Sequence, residues 1–284
     1  LTLRDVSITM DTEDARLNGT IAEVVMTGNG DGTVSIAMSP EVPLDMEIEP
    51  EEGESADLSM VITQPDVELV ASGTPGAISY VYSAPSVTVT MTGSVEGEGP
   101  SELDMTAVMT DLAGTYNVTE GTPRQLDSTF AVAAASLDMS GSDPDSEDRF
   151  AMTLALTDIA SQSSGSFSAI GAMTDLSEMV EAGLSTESMS TFGPSSYQIE
   201  AVSEGSTFTM GTEAQSGNFD VSIGPDGLKY GAGNEGVTVT FSSSDMPMPE
   251  LTFALERSGG RIAMPIAVSE EPQDVALNLS LVGL

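Results

Sequence analysis

Three kinds of residue in this chain could do chemistry, and each is limited by its neighbours. Asp143, Asp145 and Glu147 alternate as the oxygen ligands of a calcium loop do. The sixth position of such a loop is Asp148 instead of glycine and the twelfth is Leu154 instead of glutamate, so an EF-hand is excluded. The three carboxylates stand as a candidate surface calcium site, and calcium is the one metal the sequence suggests. Gly231-Ala232-Gly233-Asn234-Glu235-Gly236 spells a dinucleotide fingerprint, but the strand pattern Val237 to Phe241 follows it where a helix N-terminus would have to receive the pyrophosphate. It reads as a glycine-rich turn. Serine and threonine are plentiful, yet there is no histidine, the one lysine is Lys229, and no Ser-x-x-Lys spacing occurs, so no base is placed to activate a hydroxyl. Paired carboxylates could cleave glycosides, but five tyrosines, eight phenylalanines and no tryptophan leave few platforms for a sugar. The inventory predicts a protein that is not an enzyme and carries no catalytic or cofactor-binding residues.

Charge narrows the partners. With 45 acidic residues against 7 basic ones, the formal net charge is −38. Such a surface repels phosphates within a Debye length, about 8 Å in physiological salt, which excludes nucleic acid and disfavours anionic lipid headgroups. The acids either maintain solubility in a salty medium or bind divalent cations. There is no cysteine, so disulfides and thiolate chemistry are excluded, and this composition fits an exported protein. No apolar run approaches the roughly 20 residues that span a bilayer as a helix. Leu1 lies directly in a strand pattern and Val275 to Leu281 runs almost to Leu284, so polypeptide is expected beyond both ends, a signal peptide before the first.

The elements that must position these residues are strands. Val87-Thr88-Val89-Thr90-Met91 alternates apolar and hydroxyl side chains, the pattern of a strand with one dry and one wet face. Leu1 to Met10 reads as a strand with a bulge near Arg4-Asp5. Gly28 to Gly32 marks a hairpin. Ser39 to Ser55, with three prolines and six glutamates, reads as an edge strand and an acidic loop. Strand patterns recur at Leu58–Ile62, Val67–Ala71, Ile78–Tyr82, Val87–Met91, Leu103–Met109, Tyr116–Thr119, Thr129–Ala133, Ser136–Met139 and Phe150–Leu156. One segment differs: over 173–188, Thr174 or Asp175 can cap a helix with Leu176, Met179, Val180 and Leu184 at helical spacing. The predicted fold is all-β, a long, curved, mostly antiparallel meander with one amphipathic helix packed on it. The division is a first sheet segment over 1–172, the helix over 173–188, and a second segment over 189–284 continuing the same elongated domain.

With an offset of 150, Met60 falls on Met210, Leu69 on Phe219, Tyr80 on Tyr230, Val87 and Val89 on Val237 and Val239, and Leu103 on Phe253. Two alternating meanders match by chance at some even offset, and internal repetition gives the same signal. Methionine is the unusual apolar residue, 17 in all, many on dry faces: Met10, Met26, Met38, Met60, Met91, Met105, Met109, Met152 and Met210. Flexible thioethers either fill core gaps left by scarce aromatics or line a surface for varied apolar partners. On the second reading the ligand face is Met60, Val87, Val89, Met91, Met105, Met210, Val237, Val239 and Phe241.

Ser39-Pro40-Glu41-Val42-Pro43-Leu44, Gly73-Thr74-Pro75-Gly76, Asp148 to Thr153, Asp175 to Leu184 and Pro265 to Asp274 together resemble the domain-of-unknown-function 2125 family of alphaproteobacteria. The resemblance covers nearly the whole chain through turns and strand edges. It implies an exported protein of the periplasm or cell surface and transfers no site residues. Some relatives look similar to envelope proteins with long curved sheets and greasy inner grooves that move lipids, a likeness of fold alone. Two functions are therefore expected as alternatives. One is a binding module holding a lipid or other apolar ligand on its sheet. The other is a structural protein whose exposed edge strands pair with another copy or another envelope protein, with divalent cations as bridges.

Overall fold

Alternating, β-branched sequence with turn residues at short intervals and one brief helical stretch leaves the chain only a sheet to build. The computed structural model describes the chain except residues 12–14, 49–54, 97–100, 144–145, 169–175, 248–249, 267–274 and 284. Its strands are β1 (Thr2–Asp11), β2 (Ala15–Gly28), β3 (Val34–Met38), β4 (Glu41–Ile48), β5 (Ser55–Thr63), β6 (Glu68–Thr74), β7 (Ala77–Glu96), β8 (Ser101–Thr119), β9 (Arg124–Ser142) and β10 (Arg149–Phe167). After the helix α1 (Leu176–Glu181) come β11 (Ser185–Phe192), β12 (Ser195–Ser203), β13 (Ser206–Ala214), β14 (Ser216–Gly224), β15 (Gly227–Ser243), β16 (Leu251–Met264) and β17 (Ala276–Val282). All pair antiparallel in one seventeen-stranded sheet.

The sheet is a ladder read almost in chain order. β2 pairs with β4 along its first half and β3 along its second, β4 continues to β5 and β3 to β6, and both rejoin on β7. The long strands β7, β8, β9 and β10 follow side by side. The chain then splits and rejoins again: β10 pairs with β12 and β11, these with β13 and β14, and both with β15, before β16 and β17. The topology from β2 to β8 therefore recurs from β10 to β16. The 150-residue offset is a structural repeat at its centre, where Met60 opposite Met91 becomes Met210 opposite Phe241, and Leu69 opposite Tyr82 becomes Phe219 opposite Ala232. Beyond β15 the register moves. Val87 faces Met109 but Val237 faces Leu255, so Leu103 and Phe253 are not equivalent positions.

A transverse crease crosses the ladder. Pairing skips at Asp5, at Pro85 with Asp111, at Asp158 with Ala133, and at Gly236 with Glu256. Asp5, Asp111, Asp158 and Gly236 have φ of 52°, 49°, 52° and 59°, a left-handed conformation that aspartate and glycine tolerate. The register is the same on either side of each, so they are kinks without the extra residue of the bulge expected near Arg4-Asp5. The split rungs break on the same line, at Ser39-Pro40, at 64–67, at Gly193-Pro194 and at Gln215. Hydrogen bonds carry the ladder across each break: Gln64 N donates to Pro40 O (2.7 Å), Gly193 N to Thr157 O (2.8 Å) and Gln215 N to Glu235 O (2.9 Å).

Burial follows the crease. Ala84, Val87, Leu112 and Val132 form the core cluster, with Ile62, Val67, Tyr82, Met109 and Ile159 against it, and Val24, Val42, Ala214 and Val237 are buried along the same line. The atoms covering these side chains belong to neighbouring rows of the same sheet, so the sheet is concave there. Elsewhere one face is mostly half-buried and the other mostly exposed, apart from Val202, 7% exposed near the end of β12, and no large side chain among the described residues is fully buried. The chain exposes 17380 Å², against about 11,500 Å² expected for a compact monomer of its 29.3 kDa. The described residues form a single bent layer, not a sandwich.

Several expectations change. Ile78–Tyr82 and Val87–Met91 are one strand bent at Pro85, and β8 and β9 likewise each join two predicted strands. β4 is interior, paired on both sides, so the Pro40 region does not protect an edge; the edges are β1 and β17. Glu49, Glu51, Glu52 and Glu54 lie outside the described residues. The helix is six residues long. It closes with Gly183 N donating to Val180 O (3.0 Å) and Leu184 N to Met179 O (2.8 Å), and Gly183 has φ of 100°. Ser185 to Ser188 belongs to β11 instead, and the caps Thr174 and Asp175 lie outside the described residues.

Candidate functional site

The crease divides the concave face into two halves of different chemistry. In the first, adjacent strands align one residue each into a row: Leu44, Met60, Met91, Met105, Met139, Met152, Ile199, Met210, Phe241 and Leu251, each directly opposite the next. Five consecutive members are methionines. The flanking row toward the crease is Val42, Ile62, Val89, Ala107, Leu137, Leu154, Tyr197, Thr212 and Val239. Side-chain alternation puts both rows on one face. Each residue of the methionine row is half-buried.

All nine residues of the expected ligand face lie here: Met60, Met91, Met105, Met210 and Phe241 in the methionine row, Val89 and Val239 in the next, and Val87 and Val237 buried at the crease. Sequence reasoning left out Met139 and Met152, which complete the run. The signal was their parity, since Met139 is in phase with Leu137 and Met152 with Leu154 on the same side of the crease. Phe208 packs edge-on against Phe241 at 5.1 Å between ring centres.

The second half carries Tyr80, Tyr82, Tyr116 and Phe130, and further along Phe219 and Tyr230. Leu69, Tyr80, Tyr82, Tyr116 and Phe130 line a shallow depression of about 420 Å³. Tyr80 and Tyr116 sit 6.4 Å apart at a tilt of 54°, and burial pushes the Tyr82 phenol above its ordinary pKa. Between the aromatic groups lies a hydroxyl patch, Ser128, Ser161, Ser163, Ser188 and Ser190, in which buried Ser190 donates to Ser161 Oγ at 2.9 Å.

Of the calcium candidates, Asp143 and Glu147 lie among the described residues. Asp145 lies outside the described residues. Asp143 N donates to Asp148 O (3.0 Å), and Asp148 Oδ1 accepts from Glu204 N (3.0 Å), which fastens the loop to the turn between β12 and β13. Among the described residues no group of three or more acidic side chains is placed to hold a metal. The Gly231–Gly236 stretch is not a turn but the middle of β15, paired on both sides. Gly231 leaves room for the Asp220 carboxylate, which a Cβ there would meet at 2.5 Å and which pairs with Arg261 at 3.7 Å. No described helix is long and apolar enough to cross a membrane. Comparison of the chain with protein-family models, with curated proteins and with solved structures finds no match.

Proposed function

We propose that this chain is a non-enzymatic, exported envelope protein that holds an apolar ligand, an acyl chain of a lipid, along the methionine row. The observation that carries the reading is an unbroken apolar row crossing the ladder on a face with no second layer above it among the described residues. Water on such a face is displaced favourably at about 25 cal/mol per Å² of apolar surface. Thioethers with three rotatable bonds fit themselves to a flexible chain better than a rigid core lining does. The net charge of −38 favours neutral or zwitterionic headgroups. The resemblance to the domain-of-unknown-function 2125 family supports export.

Native mass spectrometry of gently purified protein, with extraction of its lipids, tests this. A neutral or zwitterionic lipid adduct is expected; a clean apo mass across preparations overturns the reading. A second reading, assembly through an edge strand, is favoured by β17, where Leu277, Leu279 and Leu281 are 63%, 74% and 67% exposed and no charged residue interrupts the edge. On that reading light scattering gives a dimer or larger at neutral pH.

A further inference from the structure

We propose that the centre of the methionine row, Met91, Met105 and Met139, is a binding site for a soft monovalent cation, copper(I) or silver(I). Thioether sulfur is a soft donor that selects copper(I) over hard cations such as calcium and magnesium. Methionines scattered on a surface cannot use that preference, because a soft ion needs several sulfurs at once. Here the register supplies them: Met91 stands opposite Met105, and Met105 opposite Met139, on three adjacent strands.

Side chains directly opposite in an antiparallel pair have Cβ atoms about 4.5–5.5 Å apart. The sulfur lies two bonds beyond Cβ on a freely rotating stem, so the outer two can lean toward the middle one and share an ion above it. Met60 and Met152 extend the row by one place on either side. All five are half-buried, so solvent still reaches them and an ion has a way in. Two further features favour the site. Cysteine and histidine, the stronger competitors for such an ion, are absent from the chain, and 45 acidic residues raise the local concentration of any cation. The site goes beyond the lipid reading and does not depend on it.

The test is titration of the whole chain with silver(I), which is redox-inert, followed by native mass spectrometry. Wild type is expected to retain one ion per chain, and M91L/M105L/M139L, which keeps side-chain volume, to retain it at least tenfold more weakly. M189L, on the exposed face, should bind as wild type does. No retention by wild type, or equal retention by the triple variant, overturns the site. Should the triple variant lose its strand signature by circular dichroism, X-ray absorption on silver-loaded wild type decides: a sulfur shell supports the site and a shell of oxygen and nitrogen alone overturns it. Lipid content is read separately on metal-free protein, so the two proposals fail independently.

Discussion

The two halves of the concave face share strands, register and solvent, and differ in side chains. On the first nine strands the methionine half has no aromatic residue, while the other half carries Tyr80, Tyr82, Tyr116 and Phe130. The aromatic half forms a defined depression with tilted rings. The methionine half is a long, deformable strip. A sheet without a second layer can thus keep one part rigid by packing large flat groups and another adaptable with unbranched ones. Between them the crease supplies the tertiary core. Stability and binding are consequently expected to map to different residues.

The largest effect tests the crease. Leu112→Ala removes a 4% exposed side chain from the cluster of Ala84, Val87 and Val132, and is expected to cost about 2–3 kcal/mol in urea unfolding. Half-buried Met105→Ala should cost roughly half as much. Equal losses would erase the distinction between core and binding strip.

Binding should split the other way. Met105→Asp places a carboxylate in the middle of the strip and is expected to weaken affinity for a short-chain zwitterionic phospholipid at least tenfold, about 1.4 kcal/mol, by isothermal titration. Tyr116→Asp, across the crease, should change it less than twofold. The reverse ranking would move the ligand to the tyrosine half.

Smaller effects sharpen the crease itself. At Gly236, φ of 59° and the Gln215 side chain, which a Cβ would meet at 2.6 Å, make Gly236→Ala destabilising by about 1–2 kcal/mol in the same unfolding assay. Asp111→Gly keeps the left-handed conformation and should stay within about 0.5 kcal/mol of wild type, since relief of strain offsets added chain entropy.

The smallest is a titration. Burial raises the Tyr82 phenol pKa in the folded state, so its contribution to stability is complete below the ordinary phenol value and is lost as pH rises through the raised one. Tyr82→Phe should flatten the alkaline fall in stability, while absorbance near 295 nm shows one tyrosine of the wild type ionising late. At the rim, Asp31 accepts from Thr33 Oγ1 (2.7 Å) and Thr33 N (2.9 Å), which holds its carboxyl below the usual range and stabilises the hairpin turn above that range.

Alternation made the strands and the dry face legible in the sequence, because a period of two is a local property. The break in phase at Asp5 and the hairpin at Gly28 to Gly32 were legible for the same reason. What was not legible is long-range. Pro85, Asp111 and Asp158 look like turn residues, and only pairing on both sides reveals them as bends within unbroken strands. β4 reads as an edge because its prolines and acids are counted before its partners are known. The methionine row was visible as composition but not as a row, since register across five strands decides which methionines meet. Leu184 continues the helical spacing past Gly183, so the sequence alone does not show where the helix stops.

The most direct test follows the methionine methyl groups by NMR, with the methyls carbon-13 labelled, as diheptanoyl-phosphatidylcholine is added below its micelle concentration. The methyls of Met60, Met91, Met105, Met139, Met152 and Met210 are expected to shift together and saturate, while that of Met189, 58% exposed and off the strip, stays in place. If no methyl moves, or if Met189 moves as far as the row, the concave strip is not a lipid-binding face.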